Sequence, residues 1–135
     1  METRTKRPIR DFSDLEVYQN LYRAMIIVHK DIIAFLPREE KFDLVDQMRR
    51  ASKAGPALIA EGFAKRFQDR QWRKYIHDTI GECNEMIHHI RVCIDLYEDD
   101  VNVDVCNSVI DLYIRSCRQL TRLSQVWQDY HDRKQ

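Results

Sequence analysis

Residues 72–97 read WRKYIHDTIGECNEMIHHIRVCIDLY, and the spacing of their apolar and small residues indicates a long α-helix. These residues recur at alternating steps of three and four, as on a helix face that packs against a neighbouring helix. They are Trp72, Ile76, Thr79, Cys83, Met86, Ile90, Cys93 and Tyr97. Asp69 is the candidate N-cap, and the acidic run at residues 98–100 ends the pattern. We therefore predict a helix, the third in the chain, from about residue 69 to residue 97.

The same spacing occurs on both sides of this helix. A fourth helix is predicted from near Asn102 to about Tyr130, with its apolar face at Val103, Cys106, Ile110, Tyr113, Cys117, Leu120 and Trp127. A first helix is predicted to begin at Ser13, which caps it, with Glu16 completing a capping box. Its stripe is Leu15, Tyr18, Tyr22, Met25, His29, Ile32 and Leu36. Pro37 ends it, because proline cannot continue the hydrogen-bond ladder.

The second helix is predicted from about Glu39 to Phe67. Its apolar stripe is Phe42, Val45, Met48, Ala51, Leu58, Ile59 and Phe63. Gly55-Pro56 lies inside it, and we expect this pair to kink the helix or to split it in two. The small residues around the pair make a surface that another helix can approach closely.

Composition supports the helical interpretation. The chain has 135 residues with only three glycines and three prolines, fewer than the turns of a strand-rich fold require. Four helices with short loops predict an all-α, antiparallel up-and-down four-helix bundle, with helix 2 kinked at Gly55-Pro56. We assign residues 1–11 to a flexible basic tail, 12–131 to the bundle domain and 132–135 to a polar tail.

The chain contains no apolar run of membrane-spanning length, so we expect a cytoplasmic protein with no membrane partner. Four well-separated cysteines, without a CxxC pair, are expected to be reduced and buried rather than zinc ligands. Two helices carry more apolar residues than one stripe needs: Val17, Leu21, Ile26, Val28, Ile33 and Phe35 in the first, and Leu112, Leu123 and Val126 in the fourth. These residues indicate either a wide core face or a second contact face for self-assembly.

The formal net charge is zero, yet the charges are segregated along the chain. Basic residues cluster in the N-terminal tail, where they include Arg7 and Arg10, and at the junction of helices 2 and 3, as Lys65, Arg66, Arg70, Arg73 and Lys74. In an up-and-down bundle these clusters lie at one end, with Asp95, Glu98, Asp99, Asp100 and Asp104 at the other. A basic end attracts phosphate backbones, which predicts a nucleic-acid-binding surface. The alternative is a solvated charge distribution without a partner.

Three constellations were considered as chemistry. Glu85-x-x-His88, with His89 adjacent, has the spacing of a di-iron bundle motif, but such sites need two copies, so a surface pair is favoured. Arg70 and His77 lie two helical turns apart, a spacing that a ribonuclease could use, although basic-face residues explain both. We expect Glu61 to be partly buried and paired with Arg49 or Arg50. We predict no catalytic residue, no metal and no cofactor.

Residues 44–66, LVDQMRRASKAGPALIAEGFAKR, and 72–86, WRKYIHDTIGECNEM, resemble the four-helix-bundle family of 23S rRNA intervening-sequence proteins. That family also includes the accessory variability proteins of diversity-generating retroelements. The resemblance covers about residues 12–97. The matching residues are Gln47, Met48, Arg49, Arg50, Ala51, Pro56, Ile59, Ala60, Glu61, Gly62, Gly81, Glu85 and Met86. The chain departs from the family pattern at Ala54, Gly55, Leu58 and Glu82.

The resemblance implies a homopentamer without catalytic activity. Its retroelement branch implies a basic surface that binds RNA or DNA and associates with a reverse transcriptase. The intervening-sequence branch implies instead a protein–protein interaction bundle that does not bind nucleic acid. Both interpretations remain open at the level of the sequence.

Overall fold

The computed structural model describes residues 8–134, without the side chains of Tyr130, His131 and Lys134. Within that range the chain forms four long helices and no strand. They are α1 (Glu16–Ile27), α2 (Leu44–Phe63), α3 (Asp69–Tyr97) and α4 (Val103–Lys134). The prediction of an all-α four-helix bundle is confirmed. None of the helices in the described residues combines the length and apolar character needed to cross a membrane.

The four helices form a closed ring of neighbours. Both α1 and α3 pack against α2 and α4. Contacts between residues far apart in sequence fix the directions: Asn20 donates to Gln119 at 3.0 Å, and the Phe67 and Trp127 rings lie 5.8 Å apart. The start of α1, residues 64–68 and the last turns of α4 thus share one end, named here the 64–68 end. Residues 33–43 and 98–102 share the other, the 98–102 end, where Tyr97 donates to Glu40 at 2.7 Å.

The core follows the predicted α3 face closely. Of that stripe, every residue from Trp72 to Cys93 is buried, and Tyr97 is half-buried. Most of the surplus apolar residues of helices 1 and 4 also enter the core, whereas Ile26, Phe35 and Val126 are exposed. Tyr22, predicted in the core stripe, is also exposed. The wide-core interpretation therefore accounts for most of the surplus and leaves a few large apolar side chains in solvent.

The N-terminal cap of helix 1 is Asp11, and the prediction of Ser13 as cap with Glu16 as its box partner was wrong. Asp11 has extended backbone geometry, and its carboxylate accepts from the backbone N–H of Phe12 at 2.8 Å. Asp14 completes the box by accepting from the Asp11 N–H at 3.0 Å. Ser13 lies inside the resulting 3-10 turn, Phe12–Asp14, and donates to Asp11 at 2.7 Å. An aspartate one turn earlier therefore takes the capping position.

Replacing Asp11 with alanine should lower the free energy of unfolding by about 1 kcal/mol, because the turn loses its capping acceptor. Ser13→Ala serves as the matched control and should cost less, since Ser13 only supports the Asp11 carboxylate. Urea denaturation of both variants measures the difference. A larger loss for Ser13→Ala would contradict the assignment.

Helix 1 changes its winding before it stops. Residues Val28–Ile32 form a π turn, in which the N–H of Ile33 donates to the carbonyl of Val28. A 3-10 turn, Ile33–Phe35, follows, and the backbone becomes extended at Leu36, immediately before Pro37. The predicted stop at Pro37 is confirmed, and the π turn was not predicted.

Helix 2 is shorter than predicted at both ends. Residues Arg38–Glu40 form a separate 3-10 turn, and α2 begins at Leu44. Phe42 lies in the connection between them with 87% of its surface exposed, so its placement in the core was wrong. The helix runs unbroken through Gly55-Pro56, which excludes a split. The predicted kink remains a prediction.

The caps of the last two helices differ from each other. Gln68 precedes α3 without a side-chain cap, and Asp69 pairs with Arg73 at 2.8 Å, so Asp69 is not the predicted N-cap. Asn102 does cap α4 by accepting from the N–H of Val105 at 3.1 Å. The helix continues to Lys134, past the predicted end near Tyr130.

Gly62 lets α2 and α3 meet closely near the 64–68 end. A Cβ atom at this position would lie 2.5 Å from the Cβ of Tyr75 and 3.1 Å from the ring of Trp72. Gly55 faces Leu21 at an ordinary 3.7 Å, and a Cβ at Gly81 would meet nothing within 4 Å. Only Gly62 is thus required by the packing of the described residues.

Candidate nucleic-acid interface

Arg66 is held at the end of α2 by two phenylalanines. Its guanidinium lies 4.1 Å from the ring centre of Phe63 and 4.5 Å from that of Phe67. It also donates to the Phe63 carbonyl at 3.1 Å. These contacts fix the cation at the turn, so its charge sits at a defined position on the 64–68 end.

Lys65 and Glu61 meet through Tyr75. The Lys65 ammonium lies 5.5 Å from the Tyr75 ring centre, and the Tyr75 hydroxyl donates to Glu61 at 3.1 Å. Glu61 is exposed, and the expected pairing with Arg49 or Arg50 was wrong. Arg50 pairs with Asp46, one turn away on its own helix, and Glu61 lies about three turns further along α2.

The first turns of α3 hold a shallow depression of about 330 Å³. It is lined by Arg70, Arg73, Lys74, His77 and Asp78. Two of these cations have acid partners: Arg73 pairs with Asp69 at 2.8 Å, and Lys74 pairs with Asp78 at 2.8 Å. The hydrogen bond to Asp78 raises the pKa of Lys74. Arg70 is exposed and forms no ion pair within the described residues, so it is the cation of this depression that is ready for a ligand.

Two aromatic side chains at this end were missed by the sequence analysis. Trp72 is fully buried and packs edge-on against Phe63 at 6.2 Å, as expected for a core residue. Phe67, by contrast, is 63% exposed and contacts Trp127 edge-on. Since nucleic-acid bases stack on exposed aromatic rings, Phe67 is the ring at this end that a base could reach. Its position between two helices gave no periodic signal.

The remaining predicted cations lie around the same end or outside the described residues. Arg10 is exposed, and its backbone N–H donates to Asp14 at 2.9 Å. Arg7 lies outside the described residues. Arg118 and Arg122 on the outer face of α4 add further exposed positive charge.

The 98–102 end is acidic only on one side. The five predicted acids on α3, α4 and their connection are all exposed there. Exposed cations occupy the side formed by helix 1 and α2, among them Arg38, Lys41 and Arg49. The sequence analysis omitted these residues because it counted charge along the chain rather than by helix pair.

The candidate di-iron motif is a histidine–carboxylate pair with a different member. Nε2 of His89, which is buried, lies 3.9 Å from Glu85, whereas His88 is exposed. Burial lowers the pKa of His89, and Glu85 opposes that shift. No group of three or more potential metal ligands comes together in the part of the chain that the structure describes.

The four cysteines are free thiols, and two of them face each other across α3 and α4. Cys83, Cys93 and Cys106 are buried as predicted, while Cys117 is half-buried. The Cys83 thiol donates to Cys117, which raises the pKa of Cys83 and lowers that of Cys117. Burial raises the pKa of Cys93 to about 12.

We expect Cys117 alone to react rapidly with dithiodipyridine in the folded protein, because it is accessible and its pKa is lowered. Cys83→Ala removes the hydrogen-bond donor, raises the pKa of Cys117 and should slow this reaction at neutral pH. Stopped-flow absorbance on both proteins measures the rates. Rapid reaction of two or more thiols in the native chain would contradict the assignment.

The residues of the family pattern divide into core and surface. Met48, Ala51, Pro56, Ile59 and Gly62 are buried, which explains their apolar or small character. Ala60 is half-buried, and Gln47 donates to Asp43 at 2.7 Å on the surface. The exposed members are Arg49, Arg50, Glu61, Gly81 and Glu85.

The fold and this end together define a small all-α bundle protein with a cation-rich end. The family model for 23S rRNA-intervening sequence proteins matches residues 13–122, and the chain belongs to this family. The match extends the resemblance seen in residues 12–97 into α4. No curated protein and no solved structure matches the chain significantly.

Proposed function

We propose that this chain is a non-enzymatic, oligomeric bundle that binds RNA or DNA at its 64–68 end. The observation that carries the proposal is the depression on α3, where the unpaired Arg70 lies beside Arg73, Lys74 and His77. A guanidinium matches the geometry of a phosphate and can contact two of its oxygens at once. Phe67, exposed at the adjacent turn, offers a ring face for a base.

Assembly would strengthen this surface. We propose a homopentamer, in which each depression is repeated around a ring and the fields add. The support is the family and the large apolar side chains left in solvent, among them Tyr22, Ile26 and Phe35. Light scattering tests the assembly: a mass of a single chain across the working concentrations removes it.

A narrower form of the proposal makes the bundle an accessory factor of a reverse transcriptase in a diversity-generating retroelement. Its support is the sequence resemblance described above. Co-purification with a reverse transcriptase encoded beside the gene, retained after nuclease treatment, would support this form. A gene position inside a 23S rRNA gene, without such a neighbour, would favour the intervening-sequence branch.

Nucleic-acid binding is tested by removing three exposed cations of the 64–68 end. Changing Lys65, Arg70 and Lys74 together to glutamine should weaken binding to single-stranded RNA about hundredfold at low salt. The slope of log affinity against log salt should fall by about three, one for each lost phosphate contact. Fluorescence anisotropy at several salt concentrations measures both quantities.

The matched control removes the same charge elsewhere. Lys30, Lys53 and Arg91 are exposed and lie toward the 98–102 end, and their triple glutamine variant should bind almost as the parent does. Equal weakening in the two triple variants would show a response to net charge alone. That result, or no binding by the parent at low salt, removes the proposed interface.

The second candidate function is a protein–protein interaction bundle that does not contact nucleic acid. The zero net charge and the exposed Phe35, Phe42 and Leu96 favour it. It predicts a specific protein partner that survives nuclease treatment, together with no RNA binding at low salt. The same anisotropy titration therefore separates the two functions.

A further inference from the structure

A pocket of about 290 Å³ lies between the end of helix 1 and the start of α2, at the 98–102 end. It forms because the π turn, the 3-10 turn and Pro37 carry the chain away from α1 before α2 begins. Its apolar wall consists of Ile33, Leu36, Pro37 and Val45. The volume suits a small molecule rather than a polymer segment.

The polar wall of this pocket carries positive charge only. Arg38, Lys41 and Arg49 line it, and none of the lining residues is an acid. None of these three cations forms an ion pair within residues 8–134. Neighbouring acids have partners elsewhere: Glu40 accepts from Tyr97, and Asp46 pairs with Arg50. The pocket therefore lacks a counter-charge from the part of the chain described.

His29 supplies a fixed polar group beside these cations. Its Nε2 lies 3.1 Å from the Ser52 hydroxyl, which in turn donates to the Arg49 carbonyl at 3.2 Å. This chain of contacts assigns the proton to Nε2 and leaves Nδ1 without a printed partner on the ring. Burial, followed by the charges of Lys53 and Arg49, lowers the pKa of His29. A bound anion would relieve that field.

The local backbone is also unusual. His29 belongs to the π turn Val28–Ile32, and turns of this kind are rare and frequently found at functional sites. The turn, the one-sided charge and the apolar wall are three separate features of one pocket. None of them is used by the proposed nucleic-acid interface, which lies at the opposite end of the bundle.

We propose that this pocket binds a small organic oxyanion, a compact apolar group that carries one phosphate or carboxylate. The anion is held between Arg38 and Arg49, with Lys41 adding charge at the rim. The apolar group lies against Ile33, Leu36, Pro37 and Val45. Arginine forks pair with both kinds of oxyanion, so phosphate and carboxylate are the shared chemistry.

Titration of the full chain with hexyl phosphate, hexanoate and neutral hexanol, followed by amide chemical shifts, tests the proposal. At least one anion should saturate at millimolar concentration with shifts centred on the pocket, and hexanol should not. Arg38→Gln combined with Arg49→Gln should weaken the anion about tenfold or more. Arg70→Gln combined with Lys74→Gln, at the other end, is the matched control and should leave the affinity unchanged.

Three results would overturn the proposal: hexanol binding as tightly as the anions, no saturation by either anion, or equal affinity in the pocket variant. A hexanucleotide with a 5′-phosphate, compared with its 5′-hydroxyl form, identifies the source of a bound phosphate. Preference for the phosphorylated form, lost in the pocket variant, assigns a polynucleotide terminus. Equal binding of the two forms assigns a small molecule. Failure of nucleic-acid binding at the 64–68 end leaves these readouts unaffected.

Discussion

Alanine at position 62 should lower the free energy of unfolding by about 3 kcal/mol, the upper part of the range for overpacking a core. The added Cβ would meet Cβ and Cγ of Tyr75 at 2.5 and 2.6 Å, and the Trp72 ring at 3.1 Å. Neither Tyr75 atom is at the flexible tip of its side chain, so relief requires α2 and α3 to move apart. Guanidinium denaturation of the parent and the variant measures the loss.

Two other glycines provide matched controls for the same substitution. Gly81→Ala should raise the free energy of unfolding by about 0.5–1 kcal/mol, because alanine favours the helix interior and its methyl group meets open space. Gly55→Ala, with Leu21 at 3.7 Å, should be tolerated without loss. A smaller loss for Gly62→Ala than for Gly55→Ala would contradict the close approach at Gly62.

Trp72→Ala should cost about 3–5 kcal/mol, which is a large part of the stability of a domain of this size. The ring is fully buried, packs edge-on against Phe63 and lies beside Gly62, so its loss leaves a cavity between α2 and α3. Thermal and chemical unfolding followed by far-ultraviolet circular dichroism measure the cost.

A more conservative variant separates the core role of Trp72 from a role in binding. Trp72→Phe should cost less stability and leave RNA affinity unchanged, since a buried ring cannot stack on a base. Loss of RNA affinity in a folded Trp72→Phe protein would place the ring in the binding surface. Phe67→Ala, at the exposed ring, provides the comparison.

The sequence predicted best what depends on periodicity. The bounds of α3 and its buried face emerged from the spacing of apolar residues alone, because a long helix packed along one face repeats the same signal over many turns. The number of helices, their order and the stop at Pro37 followed for the same reason. No pattern of this kind marked the start of α2, and Phe42 was therefore assigned to the core although it is exposed.

Features that depend on local competition were predicted less well. Ser13 and Asp11 both suit a cap, and the choice between them depends on the backbone geometry before the first turn. The pairs Asp69–Arg73 and Lys74–Asp78 are visible as steps of four in the sequence, yet the segment was counted as uniformly basic. That step would have revealed Arg70 as the cation without an acid partner.

Features that depend on the register between helices could not be predicted. Glu61 accepts from Tyr75, and Gly62 faces the same residue, only because α2 and α3 meet at one particular offset. The pocket beside His29 depends on a π turn, for which the sequence carries no periodic signal. These contacts lie in the tertiary structure rather than in any single helix.

The π turn also affects how the gene can vary in length. Deleting one residue from an ordinary helix rotates everything beyond it by about 100°, which would turn a buried face toward solvent. In Val28–Ile32 the wider winding already accommodates one surplus residue. Loss of the exposed Lys30 would therefore restore regular winding and keep Ile32 and Ile33 facing inward. This is the place in helix 1 where a three-nucleotide deletion is compatible with the fold.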